Sequence, residues 1–126
     1  MDSKPSPREI NQKDDYTRIR CKISIFSQKN NIPFELFSRT EKIDLIKYGK
    51  ILNIDLEKNK YLYKYVLRAM ISNLPVGWSE DLNKNGVIYF TDPLGNEYSR
   101  HPMDSFYKLL INKERKNKVV KNCTVM

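Results

Sequence analysis

Residues 74–102 read LPVGWSEDLNKNGVIYFTDPLGNEYSRHP, and their breakers and turns mark out a small β-sheet. Leu74-Pro75-Val76-Gly77 stops a preceding helix, because proline has no amide to donate and glycine favours other conformations. Trp78 to Asp81 begins a strand. Asn83-Lys84-Asn85-Gly86 is a turn, and Asn-Gly is the strongest short hairpin signal. Val87 to Thr91 is β-branched and aromatic, which suits a second strand. Asp92-Pro93-Leu94-Gly95 forms a second turn, Asn96 to Arg100 a third strand, and His101-Pro102 ends it. Three short strands cannot bury a core alone. The sheet needs a buckle in which Trp78 lies against Pro102 and an aromatic of the middle strand.

Upstream, Ser38-Arg39-Thr40-Glu41 has the spacing of a capping box and starts a helix running to about Leu52. It is expected to bury Ile43, Ile46, Gly49 with the Lys50 stem, and Ile51. Asn53 closes it, and Asp55 caps a second helix, about Leu56 to Ser72. That helix is apolar on most sides, with Lys64 and Arg68 as its solvent stripe, so it needs partners on more than one face. Its Tyr61, Tyr63 and Tyr65 read as core and rim packing. Further back, Ile19, Cys21, Ile23 and Ile25 alternate with Arg18, Arg20, Lys22 and Ser24. Period two predicts a half-buried strand, with Cys21 inside. Residues 1–15 are polar and read as a flexible tail, with Ser6-Pro7 an ordinary part of it. Downstream, Asp104 caps a last helix, Ser105 to about Lys116, presenting Phe106, Leu109 and Leu110 on one face.

The expected class is therefore α+β: a three-stranded antiparallel sheet packed with two preceding helices and one following helix. The segments are 1–15 tail, 16–37 strand or loop, 38–73 helical pair, 74–102 sheet, 103–117 helix and 118–126 basic tail.

The sheet region resembles the WW domain. Leu74-Pro75-x-Gly77-Trp78, the pair Tyr89-Phe90 and the terminal His101-Pro102 stand where that family has them. The resemblance implies that Trp78, Phe90 and Pro102 form the structural buckle. It implies that Tyr89, Thr91, Glu97 and Ser99 line the ligand face. The family has a second Trp where this chain has Ser99, so one wall of the slot that grips proline is absent. Tyr98 is adjacent, but strand alternation points it to the other face. Tyr48 to Lys58, the following helix and His101-Pro102-x-Asp104-x-x-Tyr107 extend the likeness over about residues 40–116. They resemble the helix-plus-WW module of the centrosomal distal-appendage scaffold family. That implies a partner protein, bound through a proline-containing or kinase-tail peptide, and a role in cilium or basal-body assembly.

Cys123-Thr124-Val125-Met126 matches a C-a-a-X box whose Met favours farnesyl, so a protein farnesyltransferase is expected as modifying enzyme. One prenyl chain holds a protein only marginally. Lys113, Arg115, Lys116, Lys118 and Lys121, less Glu114, leave four net positive charges beside it. At about 1 kcal/mol per cation at an anionic leaflet, they add on the order of 4 kcal/mol. This places half of the chain's formal charge of +8 (23 Lys+Arg against 15 Asp+Glu) next to Cys123. The expected location is cytoplasmic, at the cytosolic face of a membrane.

Other classes fit less well. The 126 residues leave no room for a large cofactor-binding enzyme fold. The N-terminal residues have no apolar core for a signal peptide, and Asp2 excludes myristoylation. With two cysteines and no export signal, no structural disulfide is expected. Asp81-x-Asn83-x-Asn85-Gly86-x-Ile88 with Asp92 at position twelve imitates a calcium loop. Pro75, Gly77, Pro93 and Gly95 block the helices such a loop needs, so no metal is expected. His101 is the only histidine and has no nucleophile partner, and no phosphate loop is present, so neither catalytic residues nor a non-covalent cofactor are expected. The alternative class is a small RNA or single-strand binder, on net charge and sheet aromatics. Glu80, Asp92 and Glu97 around Tyr89 argue against nucleic acid.

Overall fold

The computed structural model describes residues 15–124, and the side chains of residues 15–117. The expected tail and Ser6-Pro7 lie almost wholly outside the described residues. The chain is α+β: a three-stranded antiparallel sheet with helices before and after it. Helix α1 spans 15–21. It is followed by α2 (Ile23–Ser27), a 3-10 turn at Phe34–Leu36 and α3 (Arg39–Ile51). A second 3-10 turn, Lys60–Leu62, leads into α4 (Tyr63–Ile71). Strands β1 (Ser79–Leu82), β2 (Ile88–Thr91) and β3 (Glu97–Tyr98) are ordered β1-β2-β3, and α5 (Pro102–Thr124) ends the chain.

Residues 18–25 fall in α1 and α2, joined by a turn at Lys22, and do not form the expected strand. Tyr16, Ile19, Arg20 and Phe26 are buried and Ile23 half-buried, while Cys21 and Ile25 are exposed. The spacings of three and four mark one helical face. The alternating isoleucines satisfied both periods over a window too short to separate them. Cys21 is thus an exposed free thiol rather than a core residue.

Helix α3 carries the expected capping box: Glu41 N donates to Ser38 Oγ, and Ser38 N to Glu41 Oε1. Its buried face differs from expectation. Gly49 is buried as expected, and Ile46 and Ile51 pack at the core's edge, but Asp44, Leu45 and Tyr48 also face inward, while Ile43 and Lys50 are exposed. Asn53 closes the helix with φ of 65°, a conformation asparagine tolerates. The second helix starts later than expected. Asp55 Oδ1 accepts from Glu57 N and holds a turn, and Leu56 is buried before helix geometry resumes. Helix α4 does find several partners: it packs against α2, α3 and α5, burying Val66, Leu67, Ala69 and Met70.

Helix α5 also departs from expectation. Pro102 occupies its first turn, where a missing amide does no harm. The cap is His101, whose Nδ1 accepts from Met103 N at 3.1 Å. Asp104 is buried instead. Ile111 lies one face with Asp104, whereas Phe106 and Leu109 are 48% and 70% exposed. The helix continues through Thr124, so the backbone of residues 118–124 is helical rather than a loose tail. No Gly or Pro interrupts the sequence after Pro102, and Lys, Arg and Leu favour helix there. No helix among the described residues is long and apolar enough to cross a membrane.

Candidate functional site

The sheet has two different faces. Register pairs Glu80 with Phe90, Leu82 with Ile88 and Phe90 with Tyr98. Cross-strand partners share a face, so these residues form the inner side, where Ile88 and Phe90 are buried. Register also pairs Asp81 with Tyr89 and Thr91 with Glu97, which form the outer side. Tyr89 and Thr91 are half-buried there and Glu97 is exposed. Three of the four expected ligand-face residues therefore come together. Ser99 does not: it follows the end of β3 and lines a cleft with Trp78.

Both turns are built as short polar clamps. Asn83 Oδ1 accepts from Asn85 N and Val87 N, at 2.8 and 3.0 Å. Asp92 Oδ1 accepts from Leu94 N and Asn96 N, and its Oδ2 accepts from Tyr98 Oη at 2.9 Å. The residues that imitate a calcium loop thus serve a hairpin. Among the described residues, no group of three or more His, Cys, Asp or Glu side chains is placed to hold a metal.

The expected buckle is divided. Trp78 and Pro102 meet at one cleft, of about 360 Å³. Phe90 is covered from elsewhere: His101 stands edge-on at 5.4 Å and Tyr16 at 6.5 Å, with the Arg20 guanidinium 5.9 Å from the ring centroid. The ring that packs on Trp78 is Tyr98, at 5.1 Å and 35°. Trp78 is half-buried and Tyr98 is 44% exposed, so this pair faces solvent beside Arg100, Pro102 and Ser105. The Tyr98 phenol is fixed by the hydrogen bond that it donates to Asp92.

Beneath the cleft lies a buried polar knot that sequence reading missed. Tyr16 Oη donates to Asp104 Oδ2 at 2.8 Å, and Tyr48 Oη donates to Asp104 Oδ1 at 2.7 Å. Tyr16 Oη also accepts from His101 N at 2.7 Å. The two phenol rings stack at 5.6 Å, and the Arg100 guanidinium sits 4.3 Å from the Tyr16 ring centroid. Burial raises the Asp104 carboxyl above its usual range, against the two phenolic hydrogen bonds and nearby Arg20 and Arg100. Burial likewise raises the Tyr48 and Tyr16 phenols, helped by the Asp104 charge. Burial, then Arg20, lowers His101 to about 4. Arg20 ties helices to sheet, donating to Met70 O at 2.8 Å and to Glu80 Oε1 at 3.0 Å. Both Asp104 carboxylate oxygens are engaged by phenols of the chain itself, so the knot joins α1, α3 and α5. Only a helical reading of 16–26 would have brought Tyr16 and Arg20 to one side.

The tail residues fall into two groups. Lys113 and Lys116 are exposed on α5, and Arg115 donates to Asn53 O at 2.9 Å. The side chains of Lys118, Lys121 and Cys123 lie outside the described residues, as does all of Met126. No protein-family model and no curated protein matches the chain.

Proposed function

We propose that the chain is a protein-binding adaptor that docks a proline-containing segment of a partner in the Trp78–Tyr98 cleft. The observation that carries the reading is this exposed, fixed aromatic pair beside Pro102. A stiff proline segment loses little entropy when it packs on such rings. The buried knot beneath favours binding by keeping the platform rigid before the ligand arrives. This shifts the docking surface from the Tyr89 face, which the WW resemblance suggests, to the Tyr98 face. The adaptor performs no catalysis. Where Met126 is the terminal residue, the Cys123 thiolate displaces diphosphate from a farnesyl donor. The lipid and the lysines of α5 then hold the module at an anionic membrane.

Trp78 is the only tryptophan, so its fluorescence reports the cleft directly. Titration with a proline-rich decapeptide should shift that emission. Tyr98→Ala should abolish the shift and Tyr89→Ala should leave it. The opposite pattern would return the ligand to the outer face, and no shift at any accessible concentration would end the docking reading. For the tether, a prenyl analogue should label the wild type and not Cys123→Ser. An unlabelled wild type removes the membrane half.

A further inference from the structure

We infer that a second groove, between α4 and the 30–35 segment, binds an extended acidic peptide. The groove has a volume of about 730 Å³ and shares no residue with the Trp78–Tyr98 cleft. Lys60, Lys64 and Arg68 line one side of it. All three are exposed, and none makes an ion pair among the described residues. Lys64 and Arg68, four residues apart on α4, stand at roughly a 6 Å step along the helix axis, and Lys60 in the preceding 3-10 turn lies on the same side of the groove. Alternate side chains of an extended peptide repeat at roughly 6.6 Å, so Asp or Glu at every second position meets successive cations.

The rest of the groove suits a peptide rather than another polyanion. Its floor is apolar, with Leu67 buried and Phe34 against Tyr63 at 5.9 Å. It takes the apolar residues that stand between the acidic ones. The far wall includes the exposed Asn30 and Asn31, whose carboxamides can each donate to and accept from a peptide main chain. Glu35 on that wall opposes a second row of negative charge, as a nucleic-acid backbone would bring. The wall is set in advance, since Tyr63 Oη donates to Ile32 O at 2.9 Å. A flat bilayer cannot reach a recessed floor. The site is thus independent of the docking proposed for the sheet.

The test is fluorescence anisotropy on the full chain, with a labelled octapeptide alternating Asp and Leu. An Asn–Leu octapeptide and an eight-nucleotide oligothymidylate serve as comparisons. The Asp–Leu peptide should bind at least about tenfold tighter than the Asn–Leu peptide, and weaken at least about tenfold in the double variant Lys64→Glu/Arg68→Glu. Both positions are solvent-facing, and circular dichroism checks that the variant is folded. Lys64→Gln/Arg68→Gln provides a milder variant with the same direction of effect. Tyr98→Ala should leave this affinity unchanged, which separates the groove from the cleft. Equal binding of the two peptides, no response to charge reversal, or tighter binding of the oligonucleotide would each overturn the proposal.

Discussion

Acidification should destabilise this fold through a single imidazole. His101 is 1% exposed, and Arg20 stands close enough to disfavour a second positive charge, against a hydrogen bond with the Ser72 backbone that favours it. Its folded-state value is lowered to about 4, against about 6.5 when unfolded. A base depressed in this way contributes stability that is complete above the unfolded value and is lost as pH falls through the folded one. The loss works out at about 2 kcal/mol between pH 7.5 and pH 5, and about 3 kcal/mol by pH 4. Asp104 acts in the opposite sense. Its raised carboxyl contributes stability that is present at low pH and lost as pH rises through its folded value. The imidazole must therefore be isolated by difference. His101→Asn removes the titrating group while keeping an acceptor for the Met103 amide, which asparagine supplies well as a cap. Urea unfolding at a series of pH values should give a wild-type minus variant difference that shrinks by about 2 kcal/mol from pH 7.5 to 5. His101 is the only histidine, so its ring proton signals can be followed by NMR without assignment ambiguity. Superimposable pH slopes, or an imidazole midpoint near 6.5, would show that His101 carries no such acid sensitivity.

Arg18→Ala should destabilise the protein by about 2–4 kcal/mol at neutral pH, because Asp44 has a side chain only 3% exposed and is left as an unpaired buried carboxylate. Denaturant midpoints measured against Arg18→Lys, which retains a charge, would check it. Gly77→Ala should destabilise by at least about 1 kcal/mol. Gly77 has φ of +87°, and an added Cβ would lie 2.8 Å from Pro93 Cγ, so both the backbone and the contact resist it. Thermal melts of the variant beside Gly95→Ala, whose Cβ meets nothing, separate the contact from the backbone strain.

What the sequence disclosed depended on how local the cause was. The capping box at Ser38 and the turns at Asn83 and Asp92 have both partners within a few residues, so they could be read directly. Helices α1 and α2 could not, because their shared buried set runs from Tyr16 to Phe26 while the misleading alternation lies between them. Asp104 resembles a cap because it follows a proline closely. Its true partners, Tyr16 and Tyr48, lie 88 and 56 residues away, and no local pattern reports them. For the candidate site, Trp78 and Pro102 were legible as neighbours, whereas Tyr98 was set aside by strand alternation. That alternation was right about its face. What it could not show is that the inner face remains partly open at the β3 end.

The 88-residue span between Tyr16 and Asp104 has a consequence for synthesis. The ribosome delivers α1 first and the start of α5 only after the whole sheet has emerged. The inner side of the sheet, which rests on Tyr16 and Arg20, cannot be sealed by His101 until then. Ring closure of this kind is entropically slow and leaves apolar surface uncovered meanwhile. Helices α3 and α4, joined by near contacts, can form during elongation, and sheet docking should be the last event. A stall or premature stop before His101 would therefore yield a helical fragment with Phe90 exposed, the form of this chain most prone to aggregate.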